Sequence, residues 1–223
     1  MQLSIDTSTR FASVAVSHGV DLVSERTWRA ERHHSVELVP AIRAIMNGAG
    51  VAPSDLDALY VANGPGGFSA LRVGMATAKS LAISLEVPLV AVGTLEIEMA
   101  PHLPSDLPVC AILGGGGSRL YAGWLETVKE TFRVLTVEEL IELTSERTLF
   151  CGEAAAAIEP SLSEALGELA DVRAIEPPTR RGGTLATLGF ARLQAGEFDD
   201  PDTLEPLYMR SAQYEFAHKT HLR

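Results

Sequence analysis

The sequence predicts an α/β fold in two lobes, residues 1–100 and 101–223, each built from three strands, a helix, a strand and a helix in that order. Three observations predict it. The chain opens on three adjacent stretches of strand character separated by short turns. A glycine-rich turn then joins a short apolar strand to a long helix. Finally, three prolines fall within Pro101–Pro108, and after them a triple-strand opening is met a second time.

Residues 2–9, 11–17 and about 20–28 read as the first three strands, with Gly19 marking a hairpin. A helix follows from Val36 to Asn47. Val39, Ile42 and Met46 form its apolar stripe with Leu38 and Ile45 beside it; Ser35 stands near its cap, Pro40 lies just inside, and Gly48 to Gly50 end it. Strand Leu59–Ala62, a glycine turn, helix Ser69–Leu85, strand Leu89–Val92 and a short helix from Thr94 complete the first lobe. In the second, strands are predicted at Val109–Leu113, Leu120–Leu125 and Thr131–Leu135. Helix Val137–Leu143, strand Leu149–Cys151, a helical stretch from Glu153, strand Val172–Ile175 and helix Leu185–Ala195 follow. This order is that of a ribonuclease-H-like lobe, used twice in the actin, Hsp70 and sugar-kinase (ASKHA) fold. Here the second copy is degenerate, because the turn after its first strand is Gly114–Gly117 and carries no acid.

Composition narrows the function. With 46% apolar residues the chain can bury a core of its own, and no run of eighteen apolar residues suggests a membrane span. The start reads as a strand rather than a basic and then apolar leader, so a cytoplasmic protein is expected. Cys110 and Cys151 sit in strand-like segments without ligand-spaced neighbours and read as buried free thiols. The net charge of −11 argues against broad contact with an RNA backbone. Arg180-Arg181-Gly182-Gly183 and His218-Lys219-Thr220-His221-Leu222-Arg223 are the main basic clusters. They read as a solvated loop and a frayed tail, with RNA contact as the alternative.

Two turns carry the candidate chemistry. Ile5-Asp6-Thr7-Ser8 ends a strand in a carboxylate followed by small hydroxyl residues, the way actin-like ATPases open. Ser8 stands where those folds place glycine, which keeps the backbone further from a phosphate. Asn63-Gly64-Pro65-Gly66-Gly67-Phe68-Ser69 is either an anion cradle with Ser69 as helix cap or a tight strand-to-helix contact. Asp6, Thr7, Ser8, Gly64, Gly66 and Gly67 are therefore the candidate phosphate-binding residues. The amides of Gly114–Gly117 are a weaker anion cradle, unable to hold magnesium or act as a base. His33 and His34 are adjacent and so point different ways, and no Gly-x-Ser-x-Gly motif is present. No catalytic and no metal-ligating residues are predicted.

Ile5-Asp6-Thr7-Ser8, His34-Ser35-Val36-Glu37-Leu38-Val39-Pro40, Gly64-Pro65-Gly66-Gly67-Phe68-Ser69, Leu71-Arg72-Val73-Gly74, Val92-Gly93-Thr94-Leu95 and Pro206-Leu207-Tyr208-Met209-Arg210 stand in the order seen in the bacterial TsaB (YeaZ) family. The chain resembles that family closely over its first hundred residues and loosely beyond. The resemblance implies a non-catalytic subunit in the making of threonylcarbamoyladenosine in tRNA. Its partners would be a paralogous TsaD-type transferase and a TsaE-type ATPase, and tRNA would be reached only through the complex. It implies that the helices 36–47 and 69–85 bundle with the partner's equivalent pair, or with a second copy in a homodimer. Val39, Arg43, Met46, Leu71, Arg72, Gly74, Met75 and Ala78 are the candidate contacts. The transferase's His-x-x-x-His pair is missing from Leu95–His102, and no cofactor is expected beyond ATP or ADP at or near the partner interface. The competing reading is a stand-alone nucleotide-binding phosphotransferase or ATPase of the actin and sugar-kinase class, using Asp6 with Gly64–Gly67. A nucleotide-binding regulator without turnover is a third.

Overall fold

A computed structural model describes residues 1–126 and 129–208. The chain first lays down β1 (Gln2–Asp6), β2 (Phe11–His18) and β3 (Asp21–Arg29), then α1 (His34–Gly48), β4 (Ala58–Gly64), α2 (Phe68–Leu85), β5 (Leu89–Gly93) and α3 (Thr94–Met99). The strands form one sheet in the order β3-β2-β1-β4-β5. Its first three are antiparallel neighbours, whereas β4 runs parallel to both β1 and β5. Helices α1 and α2 cover one face. Leu38, Ala41, Ile42, Ile45 and Met46 point inward from α1 at the three- and four-residue spacing of a helix and meet Leu3, Ile5, Val14 and Val16 of the sheet. Val39 does not belong to that stripe and is exposed.

A second sheet has the order β10-β9-β6-β7-β8, formed by β6 (Val109–Gly116), β7 (Arg119–Glu126), β8 (Lys129–Leu135), β9 (Thr148–Cys151) and β10 (Ala170–Val172). Read from β8, it repeats the first: three antiparallel strands, then two joined in parallel. Helices α4 (Val137–Leu143) and α5 (Ala155–Leu166) pack on it over Cys110, Ile112, Leu120 and Phe150. Both cysteines, Cys110 and Cys151, are buried.

The last helix, α6 (Gly182–Gln194), departs from expectation. The compact units are residues 1–101 with 176–208, and 102–175. The chain leaves the first unit near the expected boundary and then returns to it, so α6 does not complete the second lobe. It covers the open face of the first sheet, where Leu185 and Ala186 meet Ala58, Tyr60, Val90 and Val92. The helix sits close on the sheet: Gly189 lies directly on the Tyr60 ring, where a Cβ would overlap it.

Candidate functional site

β1 ends at Asp6, and its carboxylate is fully engaged within the first unit. Oδ1 accepts the Ser8 backbone N–H at 2.8 Å and the Ser8 hydroxyl at 2.5 Å, a turn closed by the aspartate's own side chain. Oδ2 accepts Arg180 Nε at 2.9 Å. Arg180 also donates from Nη1 to Glu98 Oε1 at 2.7 Å and from Nη2 to Thr9 Oγ1 at 2.7 Å. Thr179 Oγ1 donates to the same Glu98 oxygen at 2.7 Å. Asp6, Glu98 and Arg180 are 2%, 2% and 4% exposed, so these charges meet away from water.

Next to it the glycine turn is pressed onto the Asp6 turn. The Gly67 N–H donates to the Ser8 carbonyl at 2.7 Å, and Gly66 lies so close to that carbonyl that a Cβ would overlap it. Thr7 Oγ1 donates to the Ala70 carbonyl at 2.6 Å and accepts the Gly74 N–H at 3.1 Å, locking the turn to the first two turns of α2. Gly64 packs under the Leu207 carbonyl. Of the two readings of the glycine stretch, the tight contact is therefore the one observed. Asp6, Thr7, Ser8, Gly64, Gly66 and Gly67 do come together, but as each other's partners: the acid, both hydroxyls and the Gly67 amide are consumed by protein groups. Ser69 is not a cap, since α2 starts from Gly67 without side-chain capping; α1 likewise starts from His33, while His34 bonds the Thr9 carbonyl at 2.8 Å.

The proposed contact residues divide in two. Met46, Leu71, Gly74, Met75 and Ala78 are buried in the chain's own first unit and are corrected to core; Gly74 abuts Thr7 so closely that a Cβ would overlap its hydroxyl. Val39, Arg43 and Arg72 are exposed. Around them Val36, Phe68 and Ile83 also face outward, giving α1 and α2 an apolar outer strip. Arg72 is held by its own chain: its guanidinium lies 3.9 Å from the Phe68 ring centre and Nε donates to Tyr208 OH at 2.8 Å. The segment ending at Tyr208 runs along α2, fastened by Lys79 Nζ to the Leu204 carbonyl and by the Leu207 N–H to the Asn63 carbonyl.

Gly114–Gly117 forms the end of a strand and the start of a tight hairpin. Gly114 to Gly116 continue β6, and Gly117 and Ser118 turn the hairpin; Gly116 and Gly117 have φ of +86° and +60°, a conformation glycine adopts without strain. Sequence reasoning missed Glu98 and Arg180. Arg180 was expected in a solvated loop, and its contact with Asp6 spans 174 residues of chain, so no local pattern reveals it. Met209, Arg210 and the cluster His218–Arg223 lie outside the described residues. Among the described residues no group of three or more His, Cys, Asp or Glu side chains is placed to hold a metal ion, and no helix is long and apolar enough to cross a membrane.

Two α/β units of this strand order, with Asp6 closing the first strand, define a two-lobed chain of the actin, Hsp70 and sugar-kinase fold. A family model described as TsaD: tRNA N6-adenosine threonylcarbamoyltransferase matches residues 28–174. The Bacillus subtilis tRNA threonylcarbamoyladenosine biosynthesis protein TsaB is 28% identical over 222 residues, which cover 96% of this chain and 95% of the relative. A tRNA N6-adenosine threonylcarbamoyltransferase of Anaeromyxobacter is 41% identical over 98 residues, 42% of this chain but only 29% of the transferase. The solved structure of YeaZ from Pseudomonas aeruginosa superimposes with a TM-score of 0.74 and 25% identity, covering 93% of this chain and 99% of that one. The chain belongs to the TsaB (YeaZ) branch of the family that this model describes.

Proposed function

We propose that this chain serves the synthesis of threonylcarbamoyladenosine in tRNA as a non-catalytic subunit, a dimerisation and activating partner of a TsaD-type transferase. The observation that carries this reading is the state of Asp6. In a phosphate-handling member of the fold that carboxylate must be free to hold metal or water, whereas here both of its oxygens are taken by Ser8 and Arg180. The Gly67 amide beside it is spent on Ser8 as well. The near full-length match to relatives named for threonylcarbamoyladenosine biosynthesis supplies the process.

The outer strip of α1 and α2, with Val36, Val39, Arg43 and Ile83, is the surface offered to the partner, and a second copy takes its place when the partner is absent. A TsaE-type ATPase joins the pair. Any ATP or ADP belongs at the partner interface rather than in the Asp6 turn. The net charge of −11 suits a subunit that reaches tRNA only through the assembled complex, in the cytoplasm.

Reconstitution tests this. The chain is mixed with its host's TsaD-type and TsaE-type proteins, tRNA and substrates, and each component is omitted in turn. Transfer that requires this chain, together with no nucleotide turnover by the chain alone, is the expected result. Turnover by the isolated chain without complex formation would overturn it. Val39→Arg and Arg43→Glu are expected to leave stability within about 0.5 kcal/mol and to weaken the complex roughly thirtyfold or more, read by calorimetric titration.

A further inference from the structure

Arg180 lies on the stretch that brings the chain back into the first unit, and its side chain reaches acceptors there from three separate places in the sequence. Nε meets Asp6 at the end of β1, Nη1 meets Glu98 on α3, and Nη2 meets Thr9 in the turn before β2. A guanidinium is planar and rigid, so three nitrogens satisfied at 2.9, 2.7 and 2.7 Å describe a site shaped for that group rather than for a point charge. Burial is complete on every side: the side chains of Arg180, Asp6 and Glu98 are 3%, 3% and 1% exposed. Without the guanidinium, two carboxylates would share a dry site. The turn at Gly66 and Gly67 is closed by backbone contact that no solute can imitate. The closure at Asp6 and Glu98, in contrast, is completed by one terminal group that also exists as a small free ion.

We propose that Asp6, Glu98 and Thr9 form a guanidinium-binding pocket, and that Arg180 is its internal ligand, the latch that anchors the returning residues 176–208 on the first unit. The ligand class is a planar guanidinium or amidinium cation donating to two carboxylates and a hydroxyl. The neighbouring Thr179, donating to Glu98, holds the same stretch from its other side chain. This pocket is independent of the role in tRNA modification and stands or falls apart from it.

Chemical rescue in the full chain tests it. Arg180→Ala is expected to lower the melting temperature by roughly 10 °C. Guanidinium chloride, added far below denaturing concentration, is expected to restore several degrees of that loss, while equal ionic strength of sodium or magnesium chloride restores none. The parent chain, its pocket filled, gains nothing from guanidinium. If Arg180→Ala does not fold unaided, the same selectivity is read as the yield of refolded chain with guanidinium against sodium. A second variant, Arg180→Ala with Glu98→Gln, is expected to lose the selective rescue. Rescue no better than with sodium overturns the proposal. So does magnesium restoring as much as guanidinium, or a rescue that survives Glu98→Gln.

Discussion

The turns after β1 and after β6 occupy equivalent places in two sheets of the same order, yet they are closed by different means. The first keeps its acid and neutralises it, with Ser8 on one oxygen, Arg180 on the other and Gly66–Gly67 pressed against the same turn. The second has no acid and folds straight back, Gly116 pairing with Arg119 in a tight hairpin. The turn after the first strand of such a sheet can thus be closed by filling it or by erasing it. Only the filled turn leaves charged groups whose removal has large consequences.

The most disruptive change to that contrast is Asp6→Ala, which strips a buried arginine of one carboxylate. A loss of about 3–5 kcal/mol is expected, measured from urea unfolding midpoints. Gly66→Ala comes next: its Cβ would overlap the Ser8 carbonyl, a backbone atom that cannot swing aside, and about 1–3 kcal/mol should be lost. In the erased turn, Gly114→Ala meets open space in an extended strand and should change stability by no more than about 0.5 kcal/mol. A loss at Gly114 matching that at Gly66 would break the comparison.

The smallest expected effect lies in the second unit. His102 is held below the ordinary histidine value, first by burial and then by the Arg173 charge. A lowered folded value means that the unfolded chain takes up the proton first. Its contribution is therefore complete above the ordinary histidine value and is lost as pH falls through the folded one. His102→Gln should flatten the mildly acidic limb of the stability–pH curve, and a ring-proton titration should place His102 below a free histidine.

Strand order was legible wherever alternation and turn residues are local, which is why β1–β3 and β6–β8 fall close to their predicted places. What escaped depended on the far end of the chain. The pattern of Leu185–Ala195 identifies a helix but not which sheet it covers; Leu185, Ala186 and Gly189 meet residues of β4 and β5 far away in the sequence. Two of the candidate contacts on α2 likewise pack inward: Gly74 and Ala78 make room for the chain's own β1 turn and sheet, while Ala76 and Ser80 face outward. Asp6 was found from the sequence, but its partners Arg180 and Glu98 were not, because an ion pair across 174 residues leaves no periodic trace.

The central claim, that Asp6 is a structural and not a chemical group, is tested most directly by Asp6→Asn in the reconstituted transfer reaction. The rate should be measured well below the variant's melting temperature and expressed per assembled complex. A rate within about twofold of the parent is predicted. A fall of roughly a hundredfold or more, the size expected when a proton-transferring or metal-holding acid is removed, with the complex still assembled, would contradict it.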